Sequence, residues 1–339
     1  MPRKVIFEQK NVLVVGGAGF IGSHLCDELI KTSKVICLDD FSTGDEKNID
    51  HLLAEPNFEF IRHDITEPVD LKKIPELQKF KIEFQGIQEI YNLACPMSPK
   101  DFKNNRVKIL LANSYGTKNM LDLALDFKAK FLHISSSVVY GLESGGKKYK
   151  ESDSGIVDVL SERSAYDEGK RFAESMIINY RDFYNLDSKI IRLFRVYGPR
   201  MKIGDGQMIP DFISNALDKK DLIIYGDKNF RSSFCYIGDC IDAIMKLMES
   251  NIETPINIGS DVEINLTDLA DKIIKSINKN LKIEYKDSVI FMKPLCVPDI
   301  SKARNELGWM PVISLGKGLE KTIYELRASK GLKSVKEAI

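Results

Sequence analysis

A glycine-rich turn constrains this chain more than any other feature. The apolar run 11–15 leads into Gly16-Gly17-Ala18-Gly19-Phe20-Ile21-Gly22, and an amphipathic stretch follows over 21–30. Gly16 permits a tight turn, Gly19 has no Cβ and lets backbone come close to a pyrophosphate, and Gly22 lets the helix pack closely. The helix amino terminus adds free N–H groups and the positive end of its dipole. A glycine pattern alone is weak. Here a second strand-like run ends at Asp39, seventeen positions beyond Gly22, where a carboxylate can accept from both hydroxyls of an adenosine ribose. Asp39 would repel a 2′-phosphate, and Asp40-Phe41-Ser42 brings no arginine to attract one, so NAD is expected in preference to NADP. Asp64-Ile65, just past a third strand-like run, is placed to cover the adenine.

Further apolar runs at 34–38, 58–62, 89–94, 130–135 and 189–194 alternate with helical stretches at 107–127 and 166–184. Continuous apolar strands separated by helices predict a parallel sheet covered on both faces, joined by right-handed crossovers. The expected fold class is α/β, a doubly wound parallel sheet of the Rossmann kind. After Tyr197-Gly198-Pro199-Arg200 the segments shorten: strands near 222–225 and 283–285 mix with helices near 208–218, 239–250 and 266–279. The chain therefore divides into a mainly NAD-binding part, 1–198, and a smaller interleaved α/β lobe for substrate, 199–330. A frayed tail is expected over 331–339, because Gly331 breaks helices.

Composition narrows the function. Lys+Arg and Asp+Glu each number 49 in 339 residues, which disfavours nucleic-acid binding. No apolar run reaches membrane-spanning length, and the charged first ten residues lack a cleavage site, so neither a membrane span nor a signal peptide is expected. Six cysteines without CxxC spacing read as free thiols in a reducing cytoplasm. The four histidines, at 24, 51, 63 and 133, are not paired at ligand spacing, so no metal site is expected.

Tyr166-Asp167-Glu168-Gly169-Lys170 places a phenol and an ammonium four residues apart on one helix face. A phenol is a poor base at neutral pH, but Lys⁺ and the positive ring of oxidised NAD favour phenolate. Proton abstraction from a sugar or alcohol hydroxyl can then accompany hydride transfer. The hydroxyl run Ser135-Ser136-Ser137, about 30 residues earlier at a strand end, offers a hydrogen bond to the reacting oxygen. Cys95, with no histidine beside it, reads as a small packed residue near the cofactor rather than a nucleophile.

The glycine turn, Asp39, the Ser136 region with Val139-Tyr140-Gly141, Tyr166xxxLys170 and Tyr197-Gly-Pro-Arg200 together resemble the extended short-chain dehydrogenase/reductase superfamily, in its nucleotide-sugar epimerase/dehydratase branch. Several phrases resemble UDP-glucuronate decarboxylases: Leu93-Ala94-Cys95-Pro96-Met97-Ser98-Pro99, Tyr166 to Arg171, Gly198-Pro199-Arg200-Met201 with Asp205-Gly206, and Ser233-Phe234-Cys235-Tyr236. The resemblance implies Ser136, Tyr166 and Lys170 as catalytic residues, with Tyr166 the base and Lys170 also holding the nicotinamide ribose. It implies a cofactor set of Gly16, Gly19, Phe20, Ile21, Gly22, Asp39, Asp64, Ile65, Leu93 and Ala94. Pro96, Ser137, Arg195, Arg200 and Arg231 would face a nucleotide-sugar substrate. It also implies a homodimer formed by the helices at 107–127 and 166–184, although the pattern alone suits core helices of a monomer equally well.

Departures from the family bear on the reaction. Val138 stands where these decarboxylases and dehydratases carry an acid, and an aliphatic group cannot shuttle a proton. Ser232 replaces an arginine, with Arg231 next door. Cys296 replaces another just upstream of Pro298-Asp299-Ile300, and Arg195 stands where an Asn is usual. All members begin by removing hydride from sugar C4. The resulting ketone, β to a uronic carboxylate, permits loss of carbon dioxide. The same ketone can instead be reduced on its other face by a 4-epimerase, or released by a 4-dehydrogenase. A catalytically silent NAD-binding sensor is the alternative of a different class.

Overall fold

The computed structural model describes residues 9–141, 147–226, 230–287 and 297–336. The first half builds β1 (Asn11–Val15), α1 (Phe20–Leu29), β2 (Lys34–Asp39), β3 (Phe58–Arg62), the short α2 (Ile82–Gln85) and β4 (Glu89–Asn92). A long helix follows, composed of α3 (Phe102–Leu111), a π turn over Ala112–Gly116 and α4 (Thr117–Phe127). Next come β5 (Lys130–Ser136), β6 (Lys148–Tyr149), α5 (Ser164–Tyr184) and β7 (Ser188–Leu193). The second half adds β8 (Val196–Tyr197), α6 (Met208–Leu217), β9 (Leu222–Tyr225), β10 (Arg231–Ser233), β11 (Cys235–Tyr236), α7 (Ile237–Glu249) and β12 (Ile256–Ile258). It ends with β13 (Glu263–Asn265), α8 (Leu266–Ile277), β14 (Ile283–Lys286), β15 (Val297–Pro298), α9 (Ser301–Glu306) and α10 (Leu315–Lys336).

Seven strands form one sheet in the order β12-β7-β5-β4-β1-β2-β3, and every neighbouring pair is parallel. The order reverses between β1 and β4, which opens a crevice at the carboxyl ends of those strands. The period of two sorts the strand side chains between two cores. Val12, Val14, Leu132 and Ile191 join Leu25 and Cys26 of α1 and Ile241 and Ile244 of α7 on one face. Leu13, Val15, Phe131 and Ile190 join Met120 and Leu121 of α4 and Ile177 of α5 on the other.

The first core runs on without a break into Phe212 of α6, Leu269 of α8, Trp309 and Leu319 of α10, so the second half shares its interior with the sheet. The sequence reading does not anticipate β12, a three-residue strand from beyond residue 198 that pairs with β7 and completes the main sheet. Four further two-stranded pairs, including β9 with β14, lie outside the main sheet. Helix α10 runs through Gly331 to Lys336. Cys296 lies outside the described residues.

Candidate active site

The glycine turn works by close approach. Gly16 adopts φ +78°, and a Cβ there would lie 2.8 Å from the Ala94 nitrogen, so the segment just after β4 and the turn abut backbone to backbone. A Cβ at Gly22 would clash with the Gly16 carbonyl oxygen, so this glycine seats α1 against the turn itself. Gly19 is the N-cap of α1; no side chain caps it and the first helical turn holds no acid. The leading N–H groups are thus available to an anion, as a dinucleotide's pyrophosphate requires.

A cavity of about 940 Å³ begins at this turn. Gly16, Gly19, Phe20, Ile21, Gly22, Asp39, Asp64, Ile65, Leu93, Ala94 and Pro96 all line it, and its wall continues through Cys95, Met97 and Ile134 to Met201, Lys202, Ile203, Asp205 and Gln207. Asp39 is buried. Its Oδ2 accepts from the Ala18 N–H at 2.9 Å and its Oδ1 from the Phe41 N–H at 2.8 Å. Burial pushes this carboxyl above its ordinary range, while the N–H groups of Phe41 and Ala18 act the other way. Each oxygen keeps a lone pair for a ribose hydroxyl. Ile65 is buried beneath the π turn, and a Cβ at Gly116 would reach its Cδ1 at 2.5 Å. Asp64 is exposed and holds Thr66 at 2.9 Å. The cradle, the uncapped helix and the paired acceptors fit NAD.

The candidate catalytic residues stand behind the Cys95–Met97 wall. Tyr166 is half-buried and packs with Phe102, Ile109, Cys95 and Met97. Ser136, the last residue of β5, stands close enough to the phenol to lower its pKa and also caps the following turn by accepting from the Val138 N–H at 3.4 Å. Lys170 is buried, and its Nζ donates to the Ile134 carbonyl at 2.7 Å. Burial pushes the Tyr166 phenol up and the Cys95 thiol adds to this, whereas Ser136 and the Arg163 charge lower it. Burial also lowers the Lys170 ammonium, opposed by Cys95 and Glu174. In the chain without NAD these influences together hold the phenol above its ordinary range.

The remaining residues fall in different places. Arg200 lines the cavity on the cofactor side: it adopts φ +65°, and its guanidinium meets Asp27 of α1 at 2.7 Å. Gly198 brings this segment tightly against Ile237 at the start of α7, with Phe20 of α1 in ordinary contact. Ser137 and Val138 are buried in the turn after β5 and do not line the cavity. The half-buried Arg195 sets its guanidinium 5.9 Å from the Phe230 ring centroid. Arg231 pairs with Glu263 across β10 and β13 at 3.1 Å and is exposed. Neither arginine lines the cavity.

Three neighbours escaped the sequence reading. Asn113 of the π turn donates to the Cys95 sulfur at 3.3 Å and to the Ile109 carbonyl at 2.8 Å. His133 lies fully buried beside Asn92 at 3.3 Å, and burial together with the Lys170 charge holds it neutral. Glu174 accepts from Ser135 at 2.5 Å. Only Glu174, on the stripe that continues from Tyr166 and Lys170 at four-residue steps, had a sequence signal.

An NAD-binding doubly wound sheet with a Ser–Tyr–Lys group at the end of its crevice defines the class. The chain belongs to the NAD dependent epimerase/dehydratase family, which matches residues 12–259. It is 39% identical over 317 residues to UDP-glucuronic acid decarboxylase 1 of Arabidopsis thaliana, covering 93% of this chain and 69% of that protein. Among solved structures it is similar to UDP-glucuronic acid 4-epimerase from Bacillus cereus in complex with UDP-glucuronic acid and NAD, with a TM-score of 0.80 and 31% identity, covering 94% of this chain and 99% of that one. UDP-glucose 4-epimerase from Thermotoga maritima shares the fold with a TM-score of 0.83 at 24% identity, covering 94% of this chain and 99% of that one.

Proposed function

We propose that this protein is an NAD-dependent enzyme that oxidises C4 of a UDP-linked uronic sugar and then releases carbon dioxide from it. The observation that carries the reading is the convergence of Ser136, Tyr166 and Lys170 directly behind the Cys95–Met97 wall of a cavity that begins at the glycine turn. The identity to UDP-glucuronic acid decarboxylases supports the choice of substrate.

NAD, when bound, accepts the hydride and brings a positive ring that favours a phenolate nearby. Tyr166 takes the proton of the C4 hydroxyl as general base, and Ser136 holds the same oxygen. Lys170, tied to Ile134 by one N–H, keeps two more for a ribose hydroxyl and for lowering the phenol. Once C4 is a ketone, the bond from C5 to the carboxylate can break, its electron pair delocalising into the ketone; a proton then adds at C5 and the hydride goes back to C4, so the overall reaction leaves no NADH. The proton that replaces carbon dioxide at C5 does not come from position 138, because Val138 is apolar and buried.

That same side chain favours a second reading, 4-epimerisation, which needs only Ser136, Tyr166 and Lys170 and a rotation of the keto sugar. The similarity to a UDP-glucuronic acid 4-epimerase supports it. Incubation with UDP-glucuronate and a panel of nucleotide hexoses separates the outcomes. Loss of carbon dioxide supports the proposal, an isobaric stereoisomer makes the protein an epimerase, and stoichiometric NADH makes it a 4-dehydrogenase. Bound NAD without turnover of any of them would make it a sensor.

Homodimerisation is part of the proposal. Val107 (68% exposed) and Tyr115 (62%) on the α3–α4 helix and Phe172 (52%) on the adjoining α5 leave an apolar face without a partner in the single chain. Among the described residues no helix is long and apolar enough to cross a membrane. Five described cysteines are free, and four of them are buried, in keeping with a cytoplasmic setting.

A further inference from the structure

Ser135 and Ser136 are adjacent on β5 but reach different turns of α5. Ser136 meets Tyr166 near the start of the helix, and the Ser135 hydroxyl donates to Glu174 Oε1 at 2.5 Å, two turns further on. Glu174 is gripped from the other side by Arg192 of β7, with Nε to Oε1 at 2.9 Å and Nη2 to Oε2 at 2.7 Å. Arg192 Nη1 donates to the Tyr140 hydroxyl at 2.8 Å, and that hydroxyl donates to Asn257 Oδ1 of β12 at 2.7 Å. Tyr140 closes the short turn that Ser136 caps. Glu174, Ser135 and Asn257 are all buried.

A buried, fully paired carboxylate is no cheaper than apolar residues of the same volume, so its gain lies in geometry. Each bond here runs between elements that the catalytic group also joins. β5 carries Ser136 and the Ile134 carbonyl that Lys170 grips, and α5 carries Tyr166 and Lys170. A bond from Ser135 to Glu174 fixes how far strand and helix slide past one another, and with it the reach of Ser136 to the phenol.

We infer that Ser135 and Glu174 are positioning residues for C4 oxidation, acting on the reaction only by holding Ser136, and the Ile134 carbonyl that orients the Lys170 ammonium, in register with Tyr166. This inference rests on Tyr166 being the base of the proposed reaction.

The test uses full-length, NAD-loaded Ser135→Ala, Ser135→Thr and Glu174→Gln proteins beside wild type and Tyr166→Phe. Glu174→Gln leaves the Arg192 charge buried without its partner and can fail to fold, so the serine variants carry the decision. Ser135→Ala is expected to lower kcat about tenfold with KM and NAD content within about twofold, and Ser135→Thr to restore most of the loss. A second readout needs no substrate. Tyrosinate absorbance, taken as the difference from Tyr166→Phe, follows ionisation of one phenol. The groups facing that phenol are Cys95, Ser136, Asp167 and Arg163, and those facing Lys170 are His133, Cys95 and Glu174. With register loosened, Ser136 and Lys170 stabilise the phenolate less, so the midpoint in Ser135→Ala should rise by about half a pH unit. An unchanged kcat with an unchanged midpoint overturns the inference, as does a loss of kcat matched by equal losses of NAD content and thermal stability. If wild type turns over no nucleotide sugar, the C4-oxidation reading fails, and the midpoint alone then decides whether the network acts on Tyr166.

Discussion

The side-chain nitrogen of Lys170 stands 2.7 Å from the main-chain oxygen of Ile134, which ties the ammonium to the strand that presents Ser136 two residues later. Helix and strand are thereby locked at the point where the phenol, the hydroxyl and the cation meet. Replacing Tyr166 with Phe removes only the proton acceptor from this arrangement. We expect turnover to fall about 10³-fold with NAD content unchanged, measured by release of carbon dioxide and product mass. Normal turnover in this variant would remove Tyr166 from the mechanism.

Lys170→Met addresses the charge. Burial holds the Tyr166 phenol up in the unliganded chain, so the active phenolate accumulates as pH rises and activity is lost on the acid side. Without the ammonium the phenolate is less stable still, and the acid limb should move to higher pH as the maximum rate drops. An acid limb in the same place would mean that Lys170 only binds ribose.

Gly22→Ala probes the turn. The added methyl meets the Gly16 carbonyl, which is backbone and cannot rotate away. A loss of about 3 kcal/mol in unfolding free energy is expected, at the upper end for overpacking, with NAD lost before the fold. Calorimetry with and without NAD would show both effects; a stable, NAD-bound variant would mean that the turn is pliable.

Asp39→Asn keeps the shape at the ribose end but replaces a charged acceptor. Charge-assisted hydrogen bonds contribute about 1.5–3 kcal/mol, so NAD should bind at least about tenfold more weakly. Titration of tryptophan fluorescence or calorimetry would report it, and unchanged affinity would place the adenosine elsewhere.

Phe172→Glu tests the exposed face of α5. A charge at the centre of an apolar helix pairing should shift the protein from dimer to monomer in sedimentation velocity. A wild-type protein that is already monomeric would overturn the proposed assembly.

Much of this was legible in the sequence because short-range rules governed it. The glycine turn, Asp39 at the end of β2 and the four-residue spacing of Tyr166 and Lys170 are local patterns, and the apolar runs marked six of the seven sheet strands. The rest depended on contacts between distant segments. β12 has three residues and no alternation to read. Helix α10 contains Gly316, Gly318 and Gly331, yet Gly318 is what allows it to dock, since a Cβ there would collide with the Tyr197 hydroxyl. The grip of Arg192 on Glu174 joins residues eighteen apart through a helix and a strand. Arg200 lines the cavity and also pairs with Asp27 of α1, a contact between distant segments that its motif does not announce.

The late arrival of β12 bears on how the molecule is made. Until residues 256–258 leave the ribosome, β7 has a bare hydrogen-bonding flank and the apolar side chains of Ile191 and Leu193 have no cover from Ile256 and Ile258. A nascent chain halted near residue 200 would therefore be adhesive, and gene fragments cut at that point should yield insoluble material instead of a free-standing nucleotide-binding unit.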